Sequence, residues 1–226
     1  MVAYFDSSAS ISEEYRILRT NIQSKSQNKQ AKIFLISSAS HGEGKTITAI
    51  NLAVTLAQEP DKKVFLADCD LRGGNIHQLL NLPLTPGLSD VLANGIASEN
   101  ASHNSKISNL TVLPRGEMPS NPSELLGSKR MKRLLEELKT RFDYIILDSP
   151  PVIPIADAGI LGAQTDGVIL IVQAEKTQEQ TVRQAQELLE QARAKNIGFV
   201  LTQVDYHIPG YFSYYYHYNK DGKEAV

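Results

Sequence analysis

The sequence is poor in cysteine, in net charge and in long apolar runs, and each shortage closes off a class of protein. Cys69 is the only cysteine among 226 residues, so no internal disulfide and no cysteine-based metal cluster can form, and a reducing compartment suits the chain. With 23 Lys and Arg against 25 Asp and Glu, the formal charge is -2, which argues against a general nucleic-acid binder. No apolar stretch reaches the ~18 residues that a membrane helix requires, and Met1 to Ser10 carries no secretory pattern. The expectation is a soluble, cytoplasmic protein that meets a membrane only through a partner. An apolar content of 42% over this length is enough for one sizeable core.

What is present is organised around Ala39-Ser40-His41-Gly42-Glu43-Gly44-Lys45-Thr46. This stretch closes the apolar run Lys32 to Ser37 and opens the helical run Ile47 to Val54. A glycine-bearing turn between a buried strand and a helix reads as a phosphate-binding loop. The backbone of Ser40 to Ile47 approaches a polyphosphate with its N–H groups and the helix N-terminus adds partial positive charge. Lys45 reaches the outer phosphates, and the Thr46 hydroxyl is offered to Mg2+. Ala39 stands where the general pattern has its first glycine; Gly42 and Gly44 supply the flexible part. The bland alternative is a strand-to-helix turn that happens to hold a lysine.

Two further strands end in carboxylates. Lys63 to Leu71 is an apolar run closing in Asp68 and Asp70, followed by Arg72. Side chains two apart on a strand face the same way, so both carboxylates are expected to look into the cleft at the carboxyl edge of a parallel sheet. They suit a Mg2+ site and a base for a hydroxyl nucleophile; strands also end in Asp simply because turns follow. Tyr144 to Pro151 ends similarly in Asp148, which can hold Mg2+ directly or through water.

The remaining segments fill in an alternating pattern. Leu110 to Pro114, Gly167 to Gln173 and Gly198 to Val204 read as strands, and residues from Leu88 to Lys106 as a short helical pattern with a polar loop. Asn121 to Leu126 opens a helix region, in which Met131, Leu134, Leu135 and Leu138 recur at helical spacing and Lys129, Arg130, Lys132 and Arg133 lie on the solvated face. A long amphipathic helix runs from about Thr177 to Lys195. Six strands alternating with helices predict an α/β fold with a doubly wound, mostly parallel sheet, in one domain over 1–205 with a flexible tail over 206–226.

Both ends are distinctive. Near the N-terminus, a helix over about 12–23, with Ser12 as its N-cap, sets Glu13, Arg16 and Arg19 on one broad face and Tyr15, Leu18 and Ile22 on another; alone, the charged face reads as solvated. The tail crowds Tyr206, Tyr211, Tyr214, Tyr215, Tyr216 and Tyr218 among Pro209, Gly210 and Asn219 without helical or alternating periodicity. It reads either as an aromatic surface for a partner or as a cluster of phosphoacceptors, each of which would gain nearly two negative charges on modification.

In combination these parts resemble the bacterial tyrosine kinases of capsule and exopolysaccharide export in their separate cytoplasmic form, which share the P-loop NTPase fold of MinD and ParA. Ala39 to Thr46 is similar to the family's Walker A motif, Val64 to Arg72 with Asp68, Asp70 and Arg72 to its extra Walker A' motif, and Ile145 to Asp148 to Walker B; Glu13, Arg16 and Arg19 match its E-x-x-R-x-x-R helix. The resemblance implies ATP- and Mg2+-dependent phosphorylation of tail tyrosines on a neighbouring subunit, in a ring, typically an octamer, held partly by that helix and dispersed by phosphorylation. It also implies a membrane-anchored activator, a cognate tyrosine phosphatase and an influence on polysaccharide synthesis and export. Under it, Lys45 and Mg2+ hold the β- and γ-phosphates, Thr46, Asp68 and Asp148 serve the metal, Asp68 or Asp70 takes the tyrosine proton, and Arg72 orients the carboxylates. Two positions depart from the family: Ile47 stands where Ser or Thr is usual, and Thr202 where Asn is common, which bears on adenine recognition. A MinD- or ParA-like positioning ATPase, whose signature lysine would fall at Ser40, and a catalytically silent interaction module are the alternatives.

Overall fold

Strand β1 (Lys32–Ser38) is apolar on both sides, and both sides are covered: Ile33 and Leu35 enter one core, Phe34 and Ile36 the other. A run of that kind belongs at the centre of a parallel sheet with helices on both faces. The computed structural model, which describes residues 10–24 and 32–204, places it there. Strand β1 pairs in parallel with β5 (Tyr144–Asp148) and β6 (Gly167–Gln173). With β2 (Val64–Asp68), β3 (His103–Asn104), β4 (Leu110–Leu113) and β7 (Asn196–Thr202), the order across the sheet is β3-β4-β2-β5-β1-β6-β7. Each pairing is parallel except the antiparallel β3–β4 contact. The fold is the expected doubly wound α/β P-loop architecture. Strand β3 is the addition, from the stretch read as helix and loop; two residues are too short to show alternation. The tail over 206–226, with Tyr206, Tyr211, Tyr214, Tyr215, Tyr216 and Tyr218, lies outside the described residues.

Helix α1 (Ser10–Ser24) and helix α2 (Lys45–Ala57) cover the Phe34 face. Every residue of α2 from Thr48 to Ala57 is buried, because the sheet packs on one side and α1 on the other; a helix apolar nearly all round has no solvent face to offer. The opposite face carries α4 (Leu88–Asn94), α6 (Pro122–Leu126), α7 (Lys129–Arg141), α8 (Asp157–Gly162) and α9 (Glu179–Gln191), with the short α3 (Ile76–Leu80) and α5 (Ser98–Ala101) in the connections. Helix α7 buries Met131, Leu134, Leu135 and Leu138 as its spacing requires. Its Arg130 donates to the Leu92 carbonyl at 2.8 Å, so that side chain caps the end of α4 where the sequence suggested only solvation.

Helix α1 corrects two expectations. It begins at Ser10, so Ser12 lies within the first turn and is buried rather than serving as the N-cap. The charged trio does not share a face. Glu13 and Arg16 pair at 2.7 Å, whereas Arg19 donates to the Thr55 carbonyl at 3.1 Å and pairs with Glu59 at 3.3 Å. Six residues along a helix amount to a rotation of about 120° from the starting direction, which carries Arg19 round to α2. Gln23 also bonds Glu59, at 2.6 Å, and Leu18 and Ile22 join the core cluster that the buried face of α2 forms, so α1 is fixed against the phosphate-loop helix.

Candidate active site

The carboxyl edges of β1, β2 and β5 converge on one cleft. The register sets Asp68 directly across from Asp148. The ends of β1 and β5 are stitched together: Ser149 Oγ donates to the Ile36 carbonyl at 3.0 Å, Ser37 Oγ to the Pro150 carbonyl at 2.8 Å, and Val152 N–H to the Ser38 carbonyl at 2.8 Å. The phosphate loop leaves β1 here. Gly42 and Gly44 adopt φ of 81° and 92°, a left-handed conformation costly to any residue with a Cβ. Gly44 caps α2, whose first-turn N–H groups have no partner inside the helix and are free for an anion.

The loop is held from distant parts of the chain. Glu43 is buried; its carboxylate accepts the Ser40 N–H at 2.7 Å and the hydroxyl of Thr177. The Thr202 hydroxyl donates to the Glu43 carbonyl at 2.7 Å, and its methyl carbon lies 3.4 Å from where a Cβ on Gly44 would be. Glu43 therefore shapes the loop with its side chain, and Thr202, unusual for the resembled family, is engaged in supporting it. The loop lies more than 130 residues before these partners, beyond the reach of any local pattern. His41 and Ile47 are exposed, the latter offering the site its backbone.

Lys45 is 8% exposed, Asp70 7%, and Asp68 and Asp148 are fully buried. Neither oxygen of Asp148 and only one of Asp68 has a hydrogen-bond partner, Asp68 Oδ2 accepting the Ile76 N–H at 3.1 Å. Burial, against the nearby Thr46 hydroxyl and Lys45 ammonium, pushes the Asp148 carboxyl up to about 7. Burial, together with Asp148, also holds Asp68 well above the ordinary carboxylate range. The Cys69 thiol between them is raised by burial and by the same carboxylates, so it stays protonated and is no nucleophile. Buried carboxylate oxygens without donors, beside a phosphate loop, fit a hard divalent cation: Thr46, Asp148 and Asp68 would hold Mg2+, which would neutralise phosphate charge when bound. Among the described residues no self-contained cage of three metal-binding side chains occurs, consistent with an ion that takes its other ligands from phosphate and water.

Asp70 and Arg72 sit differently from the expectation. Strand β2 ends at Asp68; Asp70 begins a turn, its Oδ1 accepting the N–H of Arg72 at 3.3 Å and of Gly73 at 2.9 Å. The turn that follows the strand holds the Asp70 carboxylate through these two bonds. The Arg72 guanidinium itself bonds neither the Asp68 nor the Asp70 carboxylate. Its Nε donates to Asp157 Oδ2 and its Nη2 to Ser123 Oγ, both at 3.1 Å. Arg115, unremarked in the sequence, donates to the Gly74 carbonyl at 2.9 Å and favours the charged form of Asp68. Gly74 itself is required for space: a Cβ there would sit 1.9 Å from Asp68 Oδ1. Gly74→Ala is expected to push Asp68 aside, lowering stability by about 1–3 kcal/mol and weakening Mg2+-dependent nucleotide binding; thermal unfolding with and without MgADP measures both.

The architecture and the site have relatives. Residues 31–199 match the AAA domain family. The chain is 43% identical over 190 residues to tyrosine-protein kinase YwqD of Bacillus subtilis, covering 84% of this chain and 80% of that protein. It is 34% identical over 213 residues to the putative tyrosine-protein kinase CapB of Staphylococcus aureus, covering 94% and 92%. Among solved structures, the kinase domain of Escherichia coli tyrosine kinase ETK superposes with a TM-score of 0.88 at 31% identity over 92% of this chain and 82% of that one. The chimerical protein CapA2B2 gives 0.83 at 33% over 88% of each. The Pyrococcus furiosus cell division ATPase MinD is more distant, with a TM-score of 0.65 at 27% identity, over 77% and 74%. With Walker-type residues gathered in one cleft and kinases matched along nearly its whole length, the chain belongs to the bacterial tyrosine-protein kinases.

Proposed function

We propose that the chain transfers the γ-phosphoryl group of ATP, with Mg2+, to tyrosines of the 206–226 tail on a neighbouring copy. The observation carrying this reading is the pair of buried carboxylates, Asp68 and Asp148, set across from each other with three of their four oxygens unpartnered. Phosphoryl transfer is mostly positioning and charge neutralisation. Lys45 and the loop N–H groups hold the β- and γ-phosphates, and Thr46, Asp148 and Asp68 serve the metal. Asp68 is fully enclosed, so Asp70, nearer the surface, is the base: the phenol oxygen bonds to the γ-phosphorus, the bond to the β–γ bridging oxygen breaks, ADP leaves and the phenolic proton passes to Asp70. The acceptors are Tyr206, Tyr211, Tyr214, Tyr215, Tyr216 and Tyr218.

The same reading includes a ring of copies, an octamer, in which the Glu13–Arg16 pair contacts a neighbour while Arg19 secures the helix from within. It includes a membrane-anchored activator that brings the protein to the inner face of the membrane, a phosphatase that resets the tail, and control of capsular or exopolysaccharide synthesis. A relative solved as a chimera, CapA2B2, supports a second component. The test is mass-spectrometric mapping of phosphate after incubation with ATP and Mg2+, with and without a candidate activator segment, beside a Lys45→Met control. Phosphate confined to the tail and absent from the control supports the kinase; an unmodified tail with ATP still hydrolysed supports the MinD-like reading.

A further inference from the structure

Asp157 belongs to none of the nucleotide-site motifs, yet it is fully buried and receives two charge-assisted or polar donors from other elements. Arg72 Nε reaches its Oδ2 at 3.1 Å, and Ser123 Oγ reaches its Oδ1 at 2.5 Å. Arg72 Nη2 closes the triangle on Ser123 Oγ at 3.1 Å. The three residues come from the turn after β2, the first turn of α6 and the first turn of α8.

The turn after β2 is thus held at both ends of one residue. The backbone N–H of Arg72 bonds the Asp70 carboxylate, and the Arg72 side chain is anchored on Asp157. The Asp70 carbonyl accepts Gly74 N–H at 2.8 Å, and Arg115 fixes the Gly74 carbonyl at 2.9 Å, so the direction of the Asp70 carboxylate follows the position of Arg72. A planar guanidinium engaged in two directions on a rigid, buried partner restrains a turn far better than a flexible single contact would.

We infer that Asp157 is a positioning residue for phosphoryl transfer: through Arg72, with Ser123 as the third member, it sets the turn that aims Asp70 at the acceptor hydroxyl. The inference rests on the proposed kinase function and on Asp70 as its base. Asp157 touches neither phosphate nor metal, so its removal acts on turnover and spares nucleotide binding.

The experiment measures tyrosine phosphorylation with the full chain and its activator segment, together with MgADP affinity and thermal unfolding on the same preparations. The variants are Asp157→Asn, Ser123→Ala, Arg72→Ala and the Arg72→Ala/Asp157→Asn pair. Asp157→Asn is expected to lower kcat about tenfold or more, with KM for ATP and MgADP affinity within about twofold. Ser123→Ala, which keeps the ion pair, is expected to lower kcat about threefold and provides the reading should Asp157→Asn fail to fold. The double variant is expected to be no slower than the slower single one, because both changes break the same link. Unchanged kcat in folded Ser123→Ala and Asp157→Asn, equal losses in kcat and MgADP affinity, or multiplying effects of Arg72 and Asp157 would each overturn the inference. A wild-type chain that labels no tyrosine overturns the kinase reading instead, so the two failures are distinguishable.

Discussion

Replacing Lys45 by methionine is expected to slow tyrosine phosphorylation about a thousandfold, with ATP affinity reduced more than ADP affinity. The ammonium is nearly buried in a cleft with Asp68, Asp70 and Asp148, and charge set in a dry, preorganised site acts far more strongly on a developing phosphoryl charge than the same charge in water. Methionine keeps the length and apolar stem but removes the positive charge, so the fold should survive while transfer does not. Because a phosphate-loop lysine reaches the outer phosphates, the larger affinity loss belongs to ATP. Competition binding with both nucleotides and quantified tail phosphorylation check the prediction. Equal affinity losses would show that Lys45 does not reach the γ-phosphate.

Asp148→Asn is expected to do two opposite things: to abolish most Mg2+-dependent nucleotide binding and to stabilise the nucleotide-free chain by about 1–3 kcal/mol. The carboxyl is pushed from its ordinary 3.8 to about 7, chiefly by burial. Each unit of such a shift amounts to ~1.4 kcal/mol of penalty on the charged form. The amide escapes that penalty but must itself be desolvated, which reduces the net gain. The sign with pH follows. Between about 4 and about 7 the folded chain retains a proton on Asp148 that the unfolded chain has released, so stability of the nucleotide-free protein falls as pH rises through this window and levels off above it. Asp148→Asn removes part of that slope; Asp68, raised in the same direction, leaves the remainder. Chemical unfolding at several pH values, with and without MgADP, tests both halves. A destabilised nucleotide-free variant would mean that the carboxylate is already satisfied by the protein, contrary to its unpartnered oxygens.

These expectations depend on features of unequal visibility in the sequence. The strand–loop–helix of Lys32 to Val54 was legible because local chemistry dictates it: an apolar run, two glycines in positive φ and a lysine opening a helix all lie within about 25 residues of one another. Asp148 was legible as the end of a second apolar strand. Asp70 was legible as a carboxylate two residues beyond Asp68, but the turn that holds it was not, since β2 stops at Asp68 and the Asp70 carboxylate takes the N–H groups of Arg72 and Gly73. The mixed-charge helix α1 was legible as a helix, but the direction of Arg19 was not, because a long side chain follows whatever carbonyl or carboxylate the adjoining helix presents.

The sequence by itself determined every strand but β3, the mostly parallel sheet and the phosphate-binding loop, because those follow from periodicity, glycine conformation and residues adjacent in the chain. Only the tertiary structure decided which distant side chains support that loop and its neighbouring turn: Thr177 and Thr202 on Glu43, and Ser123 and Asp157 with Arg72. These contacts join residues up to 159 positions apart. Their geometry depends on the order in which the strands lie side by side, which no local pattern of residues encodes.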